Sequence, residues 1–491
     1  MSIKRYYATK DNTITNAFKA NLTTRGVSGN MGQSDILETF SIYAQANTSS
    51  AELSRILIRF DTSDIGTDRT NGAIPASGSV NFILRLYNAE HSQTTPKNFS
   101  LIASAVSQSW QEGNGLDMEN YSDEDTSNWI SASDGIAWTS EGGDYLTDAS
   151  SSFTGTFDTG FEDMGIDVTP LVEQWIDSGG NVLGSKSNYG FGIHLSSTLE
   201  TGTTSYYTKK FFARGSQYFF KRPTLEARWD SSKKDHRDNF YLSSSLVTAT
   251  NNLMNLYLYN VVRGQLADIP EVSTGMLLVS IHSGSTTPTG SKLGLSIGGG
   301  TVTSGDLNTT ASHVETGIYS CSFAYTSSAI TTIFDVWHTS SGGSATTEYH
   351  TGSIISVKTF DSEDFNLNQD YVSKITNLKT YYSTEETARF RLYTRKKDWS
   401  PTIYTVASTA IEASIVDNAY YKLTRAKDGL VVVSYGTGSV NHTRLSYDTS
   451  GSYFDFDMSM LELNNAYEVN FAYYINGNYV EQPETFRFNV A

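Results

Sequence analysis

A chain of 491 residues is too long for one ordinary core and predicts about three domains. Only 8 prolines and 39 glycines exclude a collagen-like or disordered stalk, while 30 tyrosines and 24 phenylalanines favour strands. The formal net charge, 35 − 52 = −17, repels phosphate backbones and anionic lipid, which argues against nucleic acid and membrane surfaces as partners.

Residues 6–9 begin a strand that 13–18 continue, and the glycines of 26–32 mark a loop. Gln33 stands where a phosphate-cradling loop needs its lysine, so that role is set aside. After a strand at 38–44, residues 54–65 carry the pattern that organises the first part of the chain. Ile56, Ile58 and Phe60 alternate with Arg55, Leu57 and Arg59, which predicts a buried strand with two different faces. Asp61, Thr62, Ser63 and Asp64 then predict a turn. Another alternating strand covers 80–87. Trp110 leads into a long polar loop that holds Trp129, Trp138 and Tyr145. Residues 166–176 read as one short helix, with Thr169 as its cap, Pro170 at the first helical position and Gly179-Gly180 at its end. Strands at 189–195, 210–214 and 222–229 close this part.

Residues 230–239 carry dense charge without periodicity, which predicts a solvated linker open to trypsin at Lys233, Lys234 and Arg237. Beyond it, short strands alternate with Ser/Thr/Gly-rich loops. Those at 256–259, 276–281, 317–323 and 332–337 predict one small sandwich, and those at 389–393, 430–435 and 486–490 a second. The single cysteine, Cys321, rules out an internal disulfide framework and sits in a strand-like run as a small apolar filler. Residues 1–7 have no apolar signal core and no run approaches a membrane span. The expectation is a product of the cytoplasm with no signal peptide and no membrane insertion.

The ordered segments "IRFDTSDI" (58–65), "FILRLYNA" (82–89), "SQSWQEGNG" (107–115), "DVTPLVEQWIDSG" (167–179), "YGFGIHLSS" (189–197), "FFARGS" (211–216) and "RPTLEARW" (222–229) resemble the DNRLRE-type, disaggregatase-related β-sandwich family. That resemblance implies a jelly-roll similar to carbohydrate-binding modules and implies no enzyme. The insertion around 114–160 stretches the family's spacing. Further on, "KKDHRDNFYLSSS" (233–245), "LYLYNVVRGQL" (256–266), "TGIYSCSFAY" (316–325) and "GSYFDFDM" (451–458) are similar to accessory structural proteins of tailed bacteriophages, marine ones above all. The fold class expected is all-β: a jelly-roll-like β-sandwich over 1–229, then two smaller immunoglobulin-like β-sandwiches over 230–358 and 359–491.

The chemistry-bearing residues are sparse. Asp117, Glu119, Asp123, Glu124 and Asp125 crowd one loop, and Asp158, Glu162, Asp163 and Asp167 another. Asp123, Asp125, Asp158 and Asp163 suit structural calcium as hard oxygen ligands, although neither loop has EF-hand spacing. A glycosidase would need two carboxylates at a fixed separation, which sequence does not supply. No Cys/His spacing fits zinc. Gly294-Leu-Ser-Ile-Gly298 matches a hydrolase string, yet the glycines after it do not open the required helix. Trp129, Trp138 and Tyr145 are candidates for a sugar-binding platform, the alternative being a small core that pins the loop. Tyr381, Tyr382, Tyr420 and Tyr421 are candidates for a docking flank. The function expected is that of a non-enzymatic virion structural protein of a tailed phage. Its expected partners are other virion proteins, cell-surface glycan and further copies of itself. The alternatives are a stand-alone carbohydrate-binding adhesin and a polysaccharide depolymerase.

Overall fold

A computed structural model of the chain describes residues 2–122, 126–177, 179, 181–299, 307–340, 346–359, 370–399 and 413–491. The fold is all-β, built from sandwich-type sheets. It divides into two compact units: Met1–Asp230 with Gly436–Thr443 and Ser459–Glu462, and Ser231–Tyr435 with Arg444–Met458 and Leu463–Ala491.

In the first unit one long strand, β1 (Ile3–Thr15), serves two sheets. Its first half pairs with the last strand, Thr224–Arg228; after an irregularity at Ala8/Lys10 its second half pairs with Ala51–Phe60. In chain order the others are β2 (Gly29–Asn30), β3 (Ile36–Tyr43), β4 (Ala51–Phe60), β5 (Asn81–Leu86), β6 (Phe99–Ala105), β7 (Asp117–Ser122), β8 (Ser131–Ser133), β9 (Ile136–Ala137), β10 (Ser152–Phe157), β11 (Met164–Asp167), β12 (Phe191–Leu195), β13 (Tyr206–Phe212) and β14 (Thr224–Arg228). The path runs β10-β6-β12-β4-β1-β14-β5-β11, with β3 and β13 attached beside β4. Ile56, Ile58 and Phe60 of β4, Phe82 and Leu84 of β5 and Phe191 and Ile193 of β12 meet in the main core. Leu57, on the opposite face of β4, is equally buried, in a second apolar layer.

Two short helices cover the main core. The expected turn after β4 is a helix instead, α1 (Ser63–Thr70). Ile65 is its one buried residue, so hydrophobic periodicity gave no signal for it. Tertiary pairs hold it: Tyr6 Oη donates to Asp68, and Arg69 makes a two-pronged pair with Glu173 of α2 (Thr169–Ile176) at 2.6 and 2.8 Å. Helix α2 is shorter than expected because 164–167 belong to β11. Thr169 is not its cap; Val168 occupies that position, and the Thr169 hydroxyl donates to Asp167 and accepts from the Phe82 N–H.

In the second unit, eight of the strands from Phe240–Tyr241 to Ile355–Lys358 form one sheet, and Val261–Val262 and Gln265–Leu266 pair separately as a hairpin. The sheet curls far enough for Phe240, at one end of the strand order, to contact Phe323 near the other, with Trp337, Tyr319 and Leu277 in the core. The described strands between Tyr371 and Val490 form a four-stranded and a six-stranded sheet. Phe390 and Phe454 of the former pack on Tyr421, Phe471 and Phe488 of the latter.

Residues 230–239 are not a solvated linker. Lys233, Asp235, His236 and Arg237 are buried within the second unit. The buried charges among them have partners. Arg237 holds Asp335 through two bonds of 2.7 Å, and Trp337 Nε1 donates to the same carboxylate at 2.6 Å. Lys233 pairs with Glu315 at 2.7 Å. His236 Nδ1 accepts the Asn255 N–H, so the ring proton sits on Nε2 and is donated to the Tyr447 hydroxyl at 2.9 Å. The segment therefore fastens Met254–Tyr259 to Ser446–Asp448. Removing one member of a buried pair strands the other charge at about 3–5 kcal/mol. Asp335→Ala should lower unfolding free energy by about that much in a denaturant melt. Limited trypsin should leave 233–237 intact while cutting exposed sites elsewhere; a first cut at Lys233 or Arg237 would contradict the burial.

Candidate functional site

The outer face of β4 and β12 is where the first unit departs from a plain sandwich. The stretch from Val106 to Tyr145 folds across it, and Trp110, Trp129 and Trp138 join Leu57, Ile14 and Val106 in the second core. The Trp110 and Trp138 indole N–H groups donate to backbone carbonyls, Tyr189 O and Asn128 O, both at 2.8 Å. Trp129 and Trp138 are 3% and 5% exposed, so the expected sugar platform is corrected: neither ring has a free face. They are buried because the segment carrying them covers the sheet.

Tyr145 ends this cover, and the strand beneath was prepared for it. A Cβ on Gly192 would fall 1.9 Å from the Tyr145 ring, so only glycine lets the ring lie on β12. The Tyr145 hydroxyl donates to Gly142 O at 2.7 Å, and burial raises its pKa to about 12. Arg55 of β4 lies 5.6 Å from the ring centroid. Its guanidinium donates to both oxygens of Glu200 at 3.1 and 2.6 Å and to Gly142 O at 3.0 Å.

Beside this group opens a cleft of about 680 Å³. Its floor is Ile102, Ser104 and His194 from neighbouring strands, and its rim is Ser140, Asp144 and Ser197. Ser197 opens the short helix Ser197–Glu200 that brings Glu200 to Arg55. The carboxylates of the lining are engaged. Glu200 is paired with Arg55, and Asp144 accepts the Thr139 and Ser140 N–H groups at 2.8 and 2.9 Å. His194 Nδ1 lies 2.8 Å from Leu195 O, an acceptor, so the proton is on Nδ1 and Nε2 is a bare acceptor. Burial lowers the His194 pKa, which favours the neutral ring. None of these groups is poised as an acid–base pair. Sequence reasoning singled out only Tyr145 here; Gly192 within "YGFGIHLSS" was the available signal for a ring seated on the strand.

The remaining candidates do not converge on this cleft. Asp158 and Asp163 are exposed, and Asp163 accepts the Asn88 N–H at 2.8 Å. Asp123 and Asp125 lie outside the described residues. Among the described residues no three His, Cys, Asp or Glu side chains are grouped to hold a metal. Of the docking tyrosines only Tyr381 is exposed, at 63%; Tyr382, Tyr420 and Tyr421 are buried, Tyr382 against Phe390 and Phe488. Cys321 is buried and its thiol pKa pushed up by desolvation. Ser296 pairs with Ala324 as a strand edge.

A second ionic cluster ties two of the quoted segments together. Glu112 accepts Arg214 Nε and Nη2 at 2.7 and 2.6 Å and the Asp11 N–H at 2.7 Å, while Asp11 accepts the Arg214 N–H at 2.6 Å. Burial raises Asp11 to about 7, with Glu112 adding to the rise.

No family model matches the chain, and no curated protein matches it. Among solved structures, the chain is similar to one described as a Ca2+-stabilized adhesin that helps an Antarctic bacterium reach out and bind ice. The identity is 10% and the TM-score 0.14, over 99% of this chain and 100% of that one. At that score the superposition carries no argument about fold or ligand. No helix among the described residues is long and apolar enough to cross a membrane.

Two measurements check this arrangement. Trp129→Ala should cost about 3–5 kcal/mol of unfolding free energy, the loss expected of a core tryptophan; a change below about 1 kcal/mol would return the ring to the surface. Asp11→Asn tests the cluster by pH. A raised folded pKa gives stability that is complete below the unfolded value of about 4 and is lost as pH rises through about 7. The variant should therefore exceed the parent at pH 8, on the order of a few kcal/mol, with the difference vanishing near pH 4.

Proposed function

We propose that this protein is a non-enzymatic adhesive structural protein carried on the particle of a tailed phage. The cleft of the first unit carries the reading: its carboxylates are committed to Arg55 and to backbone N–H groups, so it can hold a ligand, while His194 Nε2 has no free acid beside it to complete an acid–base pair. The segments similar to phage accessory proteins support the virion setting, as do consecutive antiparallel sandwiches, whose end loops suit docking. With a net charge of −17, attachment to acidic neighbours would rest on aromatic contacts of low charge.

In the second unit the exposed Tyr381 and the pair Tyr474 and Tyr479, whose rings lie 4.9 Å apart, are the aromatic surface available for docking. Residues 359–491 divide between the two compact units, Gly436–Thr443 and Ser459–Glu462 falling in the first and the rest in the second with 231–358, so point changes test docking better than deletion of that segment. Mass spectrometry of gradient-purified particles should find the protein at many copies. Tyr381→Ser with Tyr479→Ser should lower its content at least about tenfold without lowering the melting temperature, since a few aromatic anchors carry most of an interface's energy. Recovery only as free soluble protein would reject the virion assignment.

A further inference from the structure

The cleft beside Tyr145 has a polar chemistry of one kind. The hydroxyls of Ser107, Thr139, Ser140, Thr147, Ser196 and Ser197 line it, and none makes a hydrogen bond to another described residue. Ser196 precedes the helix Ser197–Glu200, yet its side chain does not cap it and stays available. His194 Nε2 adds a fixed acceptor on the floor. Ile102 and the body of Tyr145 supply apolar surface between these groups.

Charge decides which ligands fit. Arg55 is the one cation in the lining and is already neutralised by Glu200; Asp144 leaves the cleft with a net charge of −1 when His194 is neutral. An anionic ligand would meet Asp144 with no free cation to offset it. An apolar ligand would cover the hydroxyls and leave them unpaired, at about 1–3 kcal/mol each if fully buried. A neutral polyol meets neither cost, because each of its hydroxyls can both donate and accept. The volume of about 680 Å³ lies in the range that holds drug-sized ligands and exceeds what one sugar ring fills.

We infer that the cleft binds a neutral saccharide of a few rings, held through its hydroxyls by the serine and threonine side chains and His194 and not by charge. The inference rests on the reading of the chain as an adhesive protein and adds the ligand class and its location. Uronate-bearing and sialylated sugars are the class it excludes.

The test is calorimetry on the full chain. The panel has neutral gluco-, galacto- and manno-oligosaccharides, matched uronate-containing oligosaccharides, and each set repeated at high salt. A neutral member should bind with little salt dependence, and its uronate counterpart at least about tenfold more weakly. Ser197→Trp, a change at an exposed rim position, should block binding without altering the melting temperature. His194→Phe, which keeps a ring against Tyr145 but removes the acceptor, should weaken binding about tenfold, the worth of one good hydrogen bond. Binding of acidic sugars alone, no binding across the neutral panel, or neutral binding indifferent to both variants would each overturn the inference. Particle content is read separately: a cleft that fails in a protein found on particles removes only the ligand assignment, and binding by a protein absent from particles removes only the virion setting.

Discussion

The two-sided burial of β4 is the constraint on which the first unit depends. Ile56, Ile58 and Phe60 enter the core between the sheets, while Leu57 enters a tryptophan-lined layer on the opposite face. A strand with water on one face would have left the segment from Val106 to Tyr145 as a free loop. With Leu57 buried, that segment becomes a third layer, and the cleft opens beside Tyr145 over Ile102 and Ser104 of β6 and Ser152 of β10. Arg55, next to Ile56 on the same strand, then fixes the margin by binding Glu200 and Gly142 together. Packing, pairing and the site thus follow from one strand and its neighbours.

The ion pairs deserve the same reading in both units. Arg69 with Glu173, Arg214 with Glu112 and Arg237 with Asp335 are partners in the folded chain. Such pairs add little net stability over a well-packed apolar substitute, but breaking one member is costly. They fix which segments may meet: α1 with α2, the segment after β13 with the Trp110 loop, and residues 231–239 with the curled sheet. The charge of residues 230–239 therefore marks attachment where composition alone implied solvent.

Much of the fold was legible because period-two alternation is a direct imprint of strand geometry. Residues 54–60 and 80–87 read as strands for that reason, and β4 and β5 occupy them. Helix α1 escaped because it has one buried residue and is held by side-chain pairs from distant segments. The aromatic loop was legible as special but not as buried, since burial of Trp129 depends on Leu57 and Val106, whose orientation only the sheet determines. The hydroxyl-lined cleft left no sequence signature: serine and threonine are common in this chain, and their convergence comes from β6, β12 and the loop that ends at Tyr145.

The proposed cleft holds a neutral sugar without cleaving it. A crystal structure of the full chain grown with a neutral oligosaccharide tests this most directly. The account predicts intact sugar beside Tyr145, a hydroxyl within hydrogen-bond distance of His194 Nε2, and Glu200 still paired with Arg55. Sugar bound elsewhere, or Glu200 released from Arg55 and aimed at a glycosidic oxygen, would contradict it.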